Sequence, residues 1–167
     1  MKSNKNQIIR IGSGFAVPFI TLLSPEWLAV SGVTPAWSIL WLIPFALTQG
    51  PYSGCLAGLC LGLSLDALRL EEITQVPALF ILGFFWGVLG QKDFPAANPF
   101  NIGFLAWTGT VFLSFTLGVQ QLFFNLEDRS PNIANWFWHT LLAHSIITGL
   151  LSPLICSWLL FYFRKRN

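Results

Sequence analysis

The chain has 167 residues, of which 54% are hydrophobic and only 10% are charged, and its mean hydropathy is +0.63. Soluble domains carry about 25% charged residues, so this composition excludes an ordinary water-soluble globule and indicates a protein solvated largely by lipid. The net charge of +2 is too small to indicate a nucleic-acid-binding surface. We expect a single transmembrane domain over residues 1–167.

Six apolar runs follow one another along the chain, and each predicts a helix. They cover Ile11 to about Val30, Ala36 to Thr48, Tyr52 to Leu70, Val76 to Gly90, Phe100 to Phe124 and Trp136 to Phe163. A spanning helix needs about 20 mostly apolar residues, which the third, fifth and sixth runs provide. The second and fourth runs are short and require flanking residues or a locally thinner bilayer. We therefore predict an all-α bundle of about six transmembrane helices.

The first run follows a basic segment and is broken at Pro25-Glu26. It predicts an uncleaved first span rather than a signal peptide, because no clean small-x-small cleavage site follows and further spans come after it. An alternative for Glu26 to Val33 is a short helix lying in the outer interface.

Proline and glycine mark the element boundaries. Gly50-Pro51 predicts the start of the third helix, and Thr74 predicts a cap for the fourth. The prolines within Asp93–Asn101 and Glu127–Asn132 predict loops. Three more prolines lie inside apolar runs and predict kinks that a bundle tolerates: Pro18, Pro44 and Pro153.

The distribution of basic residues predicts the orientation. With six spans, both termini share one side of the membrane, and that side carries Lys2, Lys5, Arg10, Lys92, Arg164, Lys165 and Arg166. The other side carries only Arg69 and Arg129. Because cytoplasmic loops are enriched in Lys and Arg, we predict that both termini are cytoplasmic.

Glycine recurs every fourth residue in the third run. The ladder is Gly50, Gly54, Gly58 and Gly62, and the next step of four reaches Asp66. Glycine disfavours helices in water, but in lipid small residues at this spacing allow helix backbones to approach closely. The ladder predicts packing within the chain in preference to a homodimer face. Matching small residues in the later runs are Gly83 and Gly87, then Thr110, Ser114 and Gly118, and finally Ser145 and Gly149.

Asp66 is the sharpest candidate for a functional residue. It lies about 24 Å along the helix from Gly50, which places it near the outer interface. One interpretation is a hydrated carboxylate at a helix end, paired with Arg69 one turn on. The other is a polar anchor that caps a neighbouring helix or holds a partner.

The histidines and cysteines predict packing rather than chemistry. His139 and His144 are five residues apart, fall on different helix faces and make a poor metal pair. His139 suits the interface, and His144 suits a hydrogen-bonded position in the bundle better than a proton relay. The three cysteines lie in apolar runs and predict small packing residues: Cys55, Cys60 and Cys156.

The sequence predicts no catalysis. It carries no zinc-protease, nucleophile-elbow, phosphate-binding or dinucleotide-binding pattern, and no second carboxylate accompanies Asp66 within a span. An enzyme usually needs several polar groups acting together, so we expect a non-enzymatic protein without metal or cofactor.

One segment carries a family resemblance. Gly58 to Asp66 (GLCLGLSLD) fits the end of a G-x-x-x-G-L-x-x-G-L-x-x-D type pattern in a small-residue-rich span, and Thr34-Pro35-Ala36-Trp37 opens the second span with Pro and Trp. Both features resemble the rod shape-determining MreD family, in its cyanobacterial-type version. The resemblance covers most of the chain, including its length, its number of spans and its basic termini.

The resemblance implies a multi-pass scaffold of the bacterial cytoplasmic (inner) membrane. Its implied partner is MreC, and through MreC the MreB filaments and the peptidoglycan synthase pair of RodA and a class B penicillin-binding protein. The family has also been grouped with the S-components of ECF vitamin transporters, which implies a similar fold. This kinship gives the alternative, a vitamin-binding S-component, with outer-side binding candidates Glu127, Trp136, Trp138 and His139.

Overall fold

The computed structural model describes residues 12, 14, 16–21, 23, 35–69, 73–91, 99–124 and 132–165. Nearly all of these residues are helical. The helices are α1 (Trp37–Gln49), α2 (Pro51–Arg69), α3 (Val76–Gln91), α4 (Pro99–Phe124) and α5 (Asn132–Lys165). Residues 16–21 belong to a further helical segment ahead of α1. The expected all-helical architecture is therefore confirmed for the part of the chain that the structure describes.

Three of these helices are long and apolar enough to cross a membrane. The candidate spans are Pro51–Leu68 in α2, Phe100–Gln121 in α4 and Leu141–Phe161 in α5. They correspond to the three runs whose length satisfied the requirement for a span. With 13 and 16 residues, α1 and α3 are about 20 and 24 Å long, shorter than the roughly 30 Å hydrocarbon core. This set of helices indicates a membrane protein.

Several sequence predictions lie outside the described residues. They include most of the first apolar run, the alternative interfacial helix over residues 26–33, and the loops over residues 93–98 and 127–131. The total number of spans and the side of the termini stay predictions.

The connection between α1 and α2 depends on one glycine. Gly50 has φ 89° and ψ 178°, a conformation that residues with a Cβ rarely adopt. Its N–H donates to the Ala46 carbonyl at 3.0 Å, which ends α1. Pro51 then occupies the first position of α2, as the sequence predicts.

α1 lies at the centre of the bundle. Every residue from Ser38 to Ala46 is buried, and both the α2–α3 hairpin and the α4–α5 hairpin pack against the helix. The N-terminal segment adds a further contact, since a Cβ at Gly14 would lie 2.9 Å from Cη2 of Trp41. Because protein surrounds α1, neighbouring helices rather than water must supply partners for its free backbone groups.

α5 supplies two of these partners and runs parallel to α1. The Ala36 N–H, at the start of α1, donates to Thr148 Oγ1 at 3.1 Å. Further along both helices, the Cys156 thiol donates to the Leu40 carbonyl at 3.2 Å. Both bonds are buried, and they join residues more than 100 positions apart in the chain.

Pro44 explains why the Leu40 carbonyl needs an outside donor. Proline has no N–H, so inside α1 it cannot donate to the carbonyl four residues earlier. The buried Cys156 takes over that role, in addition to the packing role that the sequence predicts.

The same solution occurs inside α5. Pro153 cannot donate to the Gly149 carbonyl, and the hydroxyl of Ser152 donates to it at 3.1 Å. Both interior prolines therefore leave a carbonyl that a nearby side chain satisfies.

We predict that Cys156→Ala lowers the free energy of unfolding by about 1 kcal/mol, because hydrogen bonds between transmembrane helices contribute about 0.6–1.7 kcal/mol. Cys156→Ser keeps a donor and should retain most of the stability. Unfolding in mixed micelles, followed by circular dichroism, measures both. Cys55→Ala, at a half-buried thiol, controls for the lost sulfur. Equal losses for Cys156→Ala and Cys156→Ser would contradict a role for the bond.

Candidate functional site

The glycine ladder of α2 packs against the backbone of α3 in the same chain. A Cβ added at Gly54 would clash with the carbonyl oxygen of Gly83, and one at Gly58 would clash with that of Leu79. At Gly62 the nearest atom would be the Val76 Cα, at 2.7 Å. No side chain fits at these positions without moving one helix.

α3 contributes glycines to the same interface. A Cβ at Gly83 would clash with the Gly54 carbonyl oxygen, and one at Gly87 would clash with the Pro51 Cα. The contacts pair residues in antiparallel order along the whole hairpin. Lipid gives no hydrophobic drive between helices, so the close approach stabilises the pair through dispersion contacts. This interface contains all five residues that the sequence predicts for helix packing: Gly54, Gly58, Gly62, Gly83 and Gly87.

Asp66 lies where α2 ends beside the start of α3. The Gln75 N–H donates to Asp66 Oδ1 at 3.0 Å and to Oδ2 at 3.2 Å. The Thr74 hydroxyl donates to Oδ2 at 2.5 Å. The first N–H groups of a helix have no partner within it and carry partial positive charge, so a carboxylate there is stabilising. Asp66 therefore caps α3 from the neighbouring helix.

Thr74, two residues before the start of α3, contributes a second cap. Its hydroxyl oxygen accepts a hydrogen bond from the Val76 N–H at 3.2 Å, in line with the capping role that the sequence predicts. The same hydroxyl donates to Asp66, so one oxygen joins the carboxylate to the first residue of the helix.

Gln120 brings α4 to the same point. The Thr74 N–H donates to Gln120 Oε1, and Gln120 Nε2 donates to the Thr74 carbonyl, both at 3.0 Å. The side-chain amide thus pairs with both backbone groups of a single residue. Asp66, Thr74, Gln75 and Gln120 together connect one end of α2, α3 and α4, and we call this group the polar clasp.

The polar clasp connects the ends of α2, α3 and α4 through side-chain and backbone hydrogen bonds. Both oxygens of Asp66 accept hydrogen bonds from its own chain, which corresponds to the capping interpretation of this residue. The other interpretation paired Asp66 with Arg69, whose side chain lies outside the described part of the structure.

The two histidines occupy different environments. His139 is exposed beside Trp138, whereas His144 is half-buried, with Nδ1 lying 3.4 Å from Ser114 Oγ on α4. Gly103 of α4 lies beside Ser152 of α5, so with the Ser114–His144 contact α4 and α5 pair in antiparallel order. Among the residues that the structure describes, no group of three or more His, Cys, Asp or Glu side chains is placed to hold a metal. Glu127 and the Trp136 side chain lie outside those residues.

The sequence did not predict that Gln120 pairs with Thr74 or that Thr148 accepts a hydrogen bond from Ala36. Gln120 is signalled only by its polarity in an apolar run, and Thr148 has no signal beyond its hydroxyl. Their roles depend on which helices become neighbours, which spacing within a single run does not determine.

No protein-family model, curated protein or solved structure matches this chain.

We predict that Gly58→Ala destabilises the protein by about 1–3 kcal/mol, since overpacking costs this much where neither backbone can yield. Gly149→Ala is the matched control in a membrane-spanning helix, because its nearest added contact would be an ordinary 3.7 Å to Trp107. Alanine also favours helix there. The free energy of unfolding in micelles should be lower for Gly58→Ala than for Gly149→Ala. Similar values for the two variants would contradict the close approach of α2 and α3.

We predict that Asp66→Ala lowers stability by about 1–2 kcal/mol, the usual cost of losing a helix cap. Asn is nearly as good a cap as Asp, so Asp66→Asn should keep the protein near its normal level in the membrane. Quantitative immunoblotting of membrane fractions, together with unfolding in micelles, measures both. A collapse of Asp66→Asn to the level of Asp66→Ala would mean that the charge itself, rather than the cap, is required.

Proposed function

We propose that this chain is a non-enzymatic scaffold of the MreD type, acting in the complex that elongates the lateral cell wall of a rod-shaped bacterium. Its direct partner in this proposal is MreC, which connects it to MreB, RodA and a class B penicillin-binding protein. It resides in the cytoplasmic membrane as a multi-pass protein with about six spans and cytoplasmic termini.

The observation that carries the proposal is the set of contacts made by the glycine ladder and Asp66. This is the segment on which the family resemblance depends. Its glycines contact backbone atoms of α3, and its carboxylate accepts hydrogen bonds from Thr74 and Gln75. The segment is therefore used to build a rigid hairpin, which suits a protein that acts by holding partners rather than by turnover.

The directions of the helices support the proposed topology. α1 and α5 run parallel, as the second and sixth of six alternating spans must. The α2–α3 and α4–α5 pairs run antiparallel, as consecutive spans must. With basic residues near both ends of the chain, this alternation favours cytoplasmic termini.

The alternative, a vitamin-binding S-component, needs polar groups that converge on a ligand. The buried hydroxyls of α5 are instead engaged within the bundle. Thr148 accepts from Ala36, Ser152 donates to Gly149, and Ser145 donates to the Leu142 carbonyl at 3.0 Å. This use of polar groups as helix-to-helix and local backbone contacts favours the scaffold.

The proposal is tested by depleting the protein in a rod-shaped host that carries it and by purifying it in mild detergent. Depletion should round the cells, and mass spectrometry should recover MreC with the tagged protein. Gly149→Ala should rescue cell shape, whereas Gly58→Leu should not, because the larger side chain separates α2 from α3. Normal rods after deletion would reject the scaffold, and recovery of a transporter ATPase and coupling subunit would favour the S-component.

A further inference from the structure

The two faces of α5 have the reverse of the polarity expected in water. Its outward side chains are large and aliphatic, with exposed fractions of 53% for Leu142, 54% for Ile146, 72% for Leu150 and 73% for Leu154. Between the buried Leu141 and Leu160, its inward face carries small or polar residues that are almost fully buried: Ser145, Thr148, Ser152 and Cys156. A surface helix in water shows the opposite pattern, so the medium outside α5 is less polar than the bundle interior.

Two tryptophans bracket this aliphatic stripe. Trp138 is 60% exposed and Trp158 is 69% exposed. The 20 positions between them correspond to about 30 Å of helix, which equals the thickness of a bilayer's hydrocarbon core. Tryptophan is enriched at both membrane–water interfaces, where its amphipathic ring is stable. The pair therefore matches the two interfaces of one membrane.

We infer that the stripe formed by Leu142, Ile146, Leu150 and Leu154 is a permanent contact surface for lipid acyl chains. Trp138 and Trp158 then lie at opposite interfaces, and the level of Thr148 is the bilayer midplane. The inference rests on the membrane location in the proposed function, and it deepens that function by assigning lipid, not a protein partner, to this face.

The residue sizes distinguish lipid from a partner helix. Transmembrane helices that dock closely present small residues, as α2 and α3 do to each other. The exposed stripe of α5 consists of Leu and Ile, with no exposed Gly, Ala or Ser among its described side chains from 142 to 158. Such branched side chains keep a second backbone at a distance, whereas mobile acyl chains fill the spaces between them.

Site-directed spin labelling of the full chain tests the inference. Cys55 and Cys60 are replaced by Ala, and buried Cys156 is retained. Single cysteines are then placed at 138, 142, 146, 150, 154 and 158 and labelled in bilayers of phosphatidylcholine and phosphatidylglycerol. The ratio of collision rates with oxygen and with a water-soluble nickel chelate should be several-fold higher at 146 and 150 than at 138 and 158. Ser145→Cys, on the inward face, should resist labelling.

Two results would overturn the inference. The ratio of collision rates should be highest near position 148. A maximum displaced by a helical turn or more toward either tryptophan would contradict the placement of Thr148 at the bilayer midplane. Low collision rates with both reagents at 146 and 150 would mean that protein, either a partner or a second copy, covers the stripe. Neither result depends on whether MreC is recovered, so failure of this inference is distinguishable from failure of the proposed scaffold.

Discussion

The close approach of α2 and α3 is the constraint on which the rest of the structure depends. Two helices in lipid gain little by hiding apolar surface from each other, so they must gain dispersion contacts through proximity. The glycines of both helices allow this, because each faces backbone where a Cβ would not fit. At this separation the Asp66 carboxylate accepts a hydrogen bond from the N–H of Gln75. The glycine contacts and the polar clasp therefore stabilise the same pairing of α2 with α3.

A second rule concerns backbone groups that have no hydrogen-bond partner within their own helix. In α1, two such groups obtain a partner from a side chain of α5. Pro44 leaves the Leu40 carbonyl to Cys156, and the start of α1 leaves the Ala36 N–H to Thr148. A polar group left unpaired in an apolar surrounding costs free energy, so each of these bonds stabilises the bundle. Thr148 and Cys156 thus stabilise the packing of α5 against α1.

The sequence predicted the helices well because proline and glycine mark their ends chemically. The fourth run, predicted from Val76 to Gly90, is the helix Val76–Gln91, and Pro51 opens α2 at the predicted point. The last helix begins at Asn132, ahead of the predicted Trp136, since the apolar pattern does not detect a polar first turn. The identities of the partners, such as Gln120 for Thr74, were not predictable. They follow from the arrangement of separate helices, not from spacing along one.

The central position of α1 makes the bundle depend on its last helix. α1 is shorter than the thickness of the hydrocarbon core and contains an interior proline, so alone it would expose unsatisfied backbone to lipid. The α2–α3 hairpin can form from neighbouring segments, and so can α4–α5. In contrast, the Ala36 N–H and the Leu40 carbonyl obtain partners only when α5, more than 100 residues later, is in place. A helix that is not stable in lipid by itself thus forms the core between two hairpins. Because two of its backbone groups need partners on α5, α1 is fully hydrogen-bonded only after the last helix has packed against it.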